Sequence, residues 1–353
     1  MRTSFCFVSL ALALTVALVG CNRDSSDTSS GTTGRDSAFS GQYPINAVAT
    51  VGMVADIVRT VGGEHVKVTQ ICGSGVDPHL YKPTRDDVQT MMGSDIMFYC
   101  GLMLEGKMSD TLIKMGRTKP VFAVTEMIDE SVLLEPEDFA GHYDPHVWMD
   151  VSAWSRCISA VENALLEFDP AHTDDYQVEA AKLRMELHRL HQYGVDSIAT
   201  IPEGSRILVT SHDAFNYFGR AYGLQVLGVQ GLSTESEAGV LRINKLVDML
   251  VDKGVKAVFI ESSVSRKNID ALIEGAASKG HDVVVGGELF SDAMGARGTY
   301  EGTYIGMLDH NITTVTLALG GKADPKGLNG KLGVETSQES GSEDTTDATG
   351  AAR

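Results

Sequence analysis

Asp77-Pro78-His79, Asp144-Pro145-His146, Ser211-His212-Asp213 and Leu289-Phe290-Ser291-Asp292 are the segments of this chain whose side chains could do chemistry together. His79 and His212 each closely follow an apolar run that reads as a buried strand, and Asp292 follows a third. In an open α/β sheet, ligands bind just beyond the carboxyl ends of the strands. Three imidazoles and a carboxylate gathered there make a compact four-ligand site for a borderline transition metal. Prolines 78 and 145, with their locked φ, stand beside two of the histidines. A single loop histidine is ordinarily solvated or hydrogen-bonded, so the expectation rests on the coincidence of all four residues. Asp292 alone could equally cap a turn. Two other residues compete for a place. His142, four residues before His146, reads as loop or as support; Glu261, at the end of another strand, reads either as a surface carboxylate or as a cleft residue.

The elements that must position these residues alternate between strand and helix. Ala47 to Val51, Val66 to Cys72, Ile96 to Cys100 and Val121 to Val124 read as strands, with helical spacing after the first and a helix opened by Thr84 as N-cap. From Asp174 to about Thr200, Tyr176, Ala180, Leu183, Leu187 and Leu190 recur at helical steps without glycine before Gly194. That predicts one amphipathic helix of about 40 Å, too long to be buried in one lobe. Strands are then expected at Arg206 to Thr210, Leu224 to Val229, Ala257 to Ile260 and Val283 to Val285. Helices are expected at Asp213 to Tyr222, Leu241 to Lys253, Ile269 to Lys279 and Tyr304 to Leu319, three of them ended by Gly223, Gly254 and Gly280. The predicted fold class is α/β, with two lobes, each a mostly parallel sheet flanked by helices, joined by one long rigid backbone helix. The expected boundaries are an N-terminal lobe over 44–170, a connecting helix over 171–201 and a C-terminal lobe over 202–321. Two ligands from each lobe would then meet in the cleft between them, where small ligands commonly bind.

The ends of the chain differ in kind. Residues 1–20 combine Arg2 with a nearly continuous apolar run from Phe5 to Val19, as in a signal peptide, and the run is short for a membrane span. Leu18-Val19-Gly20-Cys21 resembles a bacterial lipobox, which would lipidate Cys21 and hold a soluble domain at a membrane. Residues 21–43 read as a flexible tether and 322–353 as a disordered polar tail. A net charge of −18 over 353 residues excludes nucleic acid and anionic membrane surfaces as natural partners. Cys72, Cys100 and Cys157 remain after the leader; Cys72 and Cys100 could pair, although buried free thiols fit as well.

A zinc hydrolase is the rival chemistry, but catalytic zinc usually keeps three protein ligands and an open position, and H-E-x-x-H, G-x-S-x-G and P-loop motifs are missing. An adhesion or structural lipoprotein with an incidental site is the other alternative. The segments Asp77-Pro78-His79, Asp144-Pro145-His146-Val147-Trp148, Thr210-Ser211-His212-Asp213-Ala214-Phe215 and Phe290-Ser291-Asp292-Ala293-Met294-Gly295 decide between them. In that order they are similar to the ligand segments of the metal-specific (zinc and manganese) solute-binding lipoproteins of bacterial ABC importers, over about Ile45 to Gly321. The resemblance implies His79, His146, His212 and Asp292 as metal ligands. It also implies a monomeric, non-enzymatic, lipid-anchored extracytoplasmic receptor that delivers a divalent metal to an ABC permease. It implies a connecting helix that limits lobe movement. Histidine at 212, where manganese-preferring relatives often carry glutamate, leans toward zinc, with manganese as the alternative. The histidine-rich loop of many zinc members is missing here.

Overall fold

Short apolar runs in this chain become the strands of parallel sheets, and the amphipathic stretches between them become the covering helices. The structure, a computed structural model, describes residues 39–136 and 141–333. The first lobe runs β1 (Ile45–Ala49), α1 (Gly52–Gly62), β2 (Val66–Gln70), α2 (Arg85–Gly93), β3 (Ile96–Tyr99), α3 (Ser109–Met115), β4 (Val121–Ala123), α4 (Val151–Trp154) and α5 (Cys157–Phe168). Its four strands are parallel in the order β2-β1-β3-β4. β1 is central and buried except at Asn46, which is why it reads as an almost unbroken apolar run. Thr84 caps α2 as expected, in a reciprocal capping box with Asp87.

α6 (Thr173–Ile198) is the long helix, 26 residues or about 39 Å at 1.5 Å per residue. Tyr176, Ala180, Leu183, Leu187 and Leu190 form its buried stripe. It packs on α1 and α5 of the first lobe, and on α7 (Asn216–Tyr222) and α10 (Tyr304–Ala318) from the second half of the chain. One rigid element thus braces both lobes. The second lobe adds β5 (Ile207–Thr210), β6 (Gln225–Gly228), α8 (Val240–Lys253), β7 (Ala257–Glu261), α9 (Lys267–Ser278) and β8 (Val284–Leu289). β5–β6 and β7–β8 are parallel pairs, and β5 lies beside β7. The second lobe thus holds two two-stranded parallel sheets side by side, where the first lobe has one sheet of four strands. Gly223 and Gly254 end α7 and α8 in the left-handed conformation, as their positions in the sequence suggested.

Several expectations need correction. β8 runs on to Leu289, so Asp292 follows its strand by three residues rather than seven. Gly286 and Gly287 disguised this, since glycine pairs read as breaks. Here a Cβ at Gly287 would meet Thr314 Cγ2 at 2.5 Å, so close packing of α10 requires the glycine. Helix α7 begins at Asn216, because residues 211–215 form the loop that carries His212. α3, α4 and α5 were not foreseen individually. Tail residues 322–333 are folded rather than disordered: Leu328 N–H donates to Asp309 Oδ1 at 2.8 Å and Leu332 is buried. At the end of the expected tether, Phe39 N–H donates to the Phe168 carbonyl at 2.7 Å and the Tyr43 hydroxyl to Asp169 at 2.7 Å. Cys72, Cys100 and Cys157 are buried free thiols, so Cys72 and Cys100 are not paired. The expected leader, Cys21, the tether up to residue 38 and the tail after 333 lie outside the described residues. No helix among the described residues is long and apolar enough to cross a membrane.

Candidate metal site

Each histidine is aimed by a carboxylate close to it. After β2, Asp77 Oδ1 accepts the backbone N–H of His79 at 2.8 Å, bridging over Pro78. The same turn recurs before α4, where Asp144 Oδ1 accepts the His146 N–H at 2.9 Å. The Asp-Pro-His tripeptide is therefore a backbone device: the aspartate bonds its own chain two residues on and fixes the direction of the imidazole. Asp144 Oδ1 also contacts His146 Nδ1 at 2.7 Å, which commits that nitrogen and leaves Nε2 facing inward.

His212 follows β5 and depends on a different strand. Glu261, the last residue of β7, accepts the His212 N–H through Oε1 at 2.9 Å and meets Nδ1 through Oε2 at 2.5 Å. Glu261 is buried, so the cleft reading of this residue holds over the surface one. His142 is exposed and outside the cluster. Asp292 sits in a loop pinned on both sides. Asn311 accepts from Phe290 N–H and donates to the Phe290 carbonyl, at 3.0 and 2.7 Å, and Trp148 Nε1 donates to the Ser291 carbonyl at 2.9 Å.

These four elements bring His79, His146, His212 and Asp292 together, with one ligand atom from each lying within 4.8 Å of all the others. His79 Nε2 and His146 Nε2 are 3.3 Å apart. Asp292 Oδ1 lies 3.4 Å from His146 Nε2, and Oδ2 lies 3.2 Å from His212 Nε2. The four side chains are 6%, 0%, 0% and 1% exposed, in that order. His212 Nε2 and both Asp292 oxygens are buried without a hydrogen-bond partner of acceptable geometry. A carboxylate buried in that state is costly unless a cation compensates it.

The local field has a consistent sense. Burial pushes the Asp292 carboxyl up, but His212, His146 and His79 outweigh it and hold the group well below the usual carboxylate range. Burial works against charge on His146 and His212 too. Asp144 and Asp292 overcome it at His146, raising that ring to about 9, and Asp292 and Glu261 raise His212 well above its usual value. At His79 burial dominates and lowers the ring to about 4. A divalent cation at the centre would sit against a carboxylate that this field keeps ionised.

The roles of Asp144 and Glu261 were the main omission of the sequence reading. The repeated Asp-Pro-His spacing carried the signal for the first; for the second the sequence offered an acid at the end of the β7 run, while its place beside β5 is set by the fold. Carboxylates behind metal-bound histidines typically contribute 10- to 100-fold in affinity, so Glu261→Gln and Asp144→Asn should each weaken metal binding by roughly that factor. Chelator competition on the purified variants measures it, and unchanged affinity in both would remove these carboxylates from the site's chemistry.

Residues 47–318 match the family model described as zinc-uptake complex component A, periplasmic. The manganese-binding lipoprotein MntA of Bacillus subtilis (strain 168) is 45% identical over 312 residues, which cover 88% of this chain and 98% of that protein. The zinc-binding protein TroA of Treponema pallidum (strain Nichols) is 42% identical over 285 residues, 81% of this chain and 91% of that one. The solved structure of the T. pallidum periplasmic zinc-binding protein TroA superposes with a TM-score of 0.76, covering 79% of this chain and 99% of that chain. The match spans both lobes and the helix that braces them: the chain belongs to the zinc-uptake component A family, whose members are substrate-binding components of metal ABC importers and not enzymes.

Proposed function

We propose that this protein captures zinc in preference to manganese at His79, His146, His212 and Asp292, and hands the ion to the permease of an ABC importer. It would act as a monomer outside the cytoplasm, held to a membrane by lipid on Cys21; the first-named relative is a lipoprotein, which supports the anchor. The observation that carries the reading is the Asp292 carboxylate, buried without a well-formed hydrogen bond and clustered with three imidazoles. Three nitrogens and one oxygen suit a tetrahedral zinc ion, and softer nitrogen donors favour zinc over manganese. Manganese is the second reading, and one feature favours it. Both Asp292 oxygens are unbonded and each faces an imidazole, so a bidentate carboxylate would give five donors.

Elemental analysis of protein purified without chelator, followed by competitive titration, tests the assignment. About one equivalent of zinc that manganese does not displace supports it. Retained manganese, or near-equal affinities, moves the assignment to manganese, and failure to bind either metal overturns the site. Metal ligands must be deprotonated, so binding competes with protons. His146, held at about 9, carries a proton at neutral pH. Apparent affinity should therefore rise as pH is raised from 6 toward 9, with proton release visible as buffer-dependent heat in calorimetry. A flat profile would mean that the ring is already neutral.

A further inference from the structure

The four ligands are not divided evenly between the lobes once the contacts behind them are followed. His146 belongs to the first lobe in sequence, yet the second half of the chain holds it. Asp144, which fixes its ring, accepts from Asn216 Nδ2 at 3.1 Å through Oδ2, and its carbonyl accepts from the Tyr217 hydroxyl at 2.9 Å. The same hydroxyl accepts the Leu134 N–H at 2.9 Å. Trp148 is tied to the Ser291 carbonyl, and the Tyr304 hydroxyl donates to the Trp148 carbonyl at 2.7 Å. Asp144, Trp148, Tyr217, Ser291 and Tyr304 are all buried, so this seam is dry and aromatic.

The His79 seam is of another kind. The Thr234 hydroxyl donates to Asp77 Oδ2, on the same carboxylate that aims His79. Next to it in sequence, Glu235 pairs with Lys107, with side chains 45% and 40% exposed. The exposed Ser74 donates to the Met294 carbonyl at 3.0 Å. Thr234 is itself buried, but its contact with the half-buried Asp77 is a single polar bond, and the exposed Glu235–Lys107 pair beside it contributes little stability.

From this contrast we infer that His79 is the gate ligand: the cleft opens along the Thr234–Asp77 and Glu235–Lys107 seam, His79 leaves first, and His146 stays with His212 and Asp292. Release would then pass through a three-ligand state with one open position, which water or a donor from the permease can take. Thr234 and Lys107 are positioning residues in this scheme; they touch no metal and set how long His79 stays. The inference rests on the metal-site reading above.

The test is stopped-flow zinc release into excess chelator from the protein and its Thr234→Val, Lys107→Met and doubly substituted variants. The double variant should release zinc at least tenfold faster, with melting of the metal-free protein unchanged. In a His79→Ala background, adding Thr234→Val should leave the release rate unaltered, because the ligand it holds is gone. A purely structural role for Thr234 would accelerate both backgrounds alike. Parental release from the double variant, or equal acceleration with and without His79, overturns the gate. Failure of the parent protein to bind zinc overturns the site itself, a separate result.

Discussion

Asp292→Ala is expected to weaken zinc binding by two to three orders of magnitude while the protein stays folded. Protein zinc sites of four ligands bind with about 10–16 kcal/mol, or about 2.5–4 kcal/mol per ligand if shared equally. At about 1.4 kcal/mol per decade, losing one ligand costs a factor of roughly 10² to 10³. Asp292 belongs at the upper end because it is the one anionic member of the set and is almost fully buried. The fold has little to lose, since neither carboxylate oxygen makes a hydrogen bond. Asp292→Asn separates charge from shape: its amide oxygen can still reach the ion, so its loss should be smaller than that of alanine. Saturating ligand stabilises a folded protein, by about 4 kcal/mol at a thousand times its dissociation constant. Zinc should therefore raise the melting temperature of the parent sharply and that of Asp292→Ala hardly at all. A variant whose affinity stays within threefold of the parent would exclude Asp292 from the ligand set.

Much of this site was legible because sequence and function share a short range. The Asp-Pro-His turns are local: an aspartate bonds the backbone two residues on, and the proline between them restricts the path. Helix ends were legible for the same reason, since Gly223 and Gly254 occupy left-handed positions that disfavour a side chain. The rest depended on distant neighbours. Gly286 and Gly287 look like a strand end until α10 is seen lying against them, where a Cβ would collide with Thr314. Leu328 and Leu332 look too sparse to order a polar tail, but the fully buried Asp309 accepts from the tail backbone and from the Tyr300 hydroxyl. Glu261 stood evenly between surface and cleft because nothing in the order of residues places β7 beside β5.

Trp148→Ala carries the largest expected loss of stability, about 3–5 kcal/mol, as is typical for removing a large buried aromatic side chain. That is a substantial part of the total stability of about 5–15 kcal/mol usual for a folded domain. The indole is fully buried, edge-on to His146 at 5.2 Å and to Trp154 at 6.3 Å between ring centroids. Its N–H is also the bond that fixes Ser291, one residue before Asp292. Cavity and lost donor therefore act at the same place, leaving a buried carbonyl unpaired and loosening the loop that supplies the carboxylate. Trp148→Phe divides the two effects. It keeps most of the ring but not the N–H, so about 1–3 kcal/mol should be lost, the usual cost of an unsatisfied buried group. Urea unfolding of the metal-free variants gives the stabilities, and chelator competition on the same samples gives the affinities. If the indole couples the lobes, both quantities fall together in Trp148→Ala. A drop in stability with parental affinity would instead make Trp148 core alone, and place the support of the Asp292 loop with Asn311 and its two bonds to Phe290.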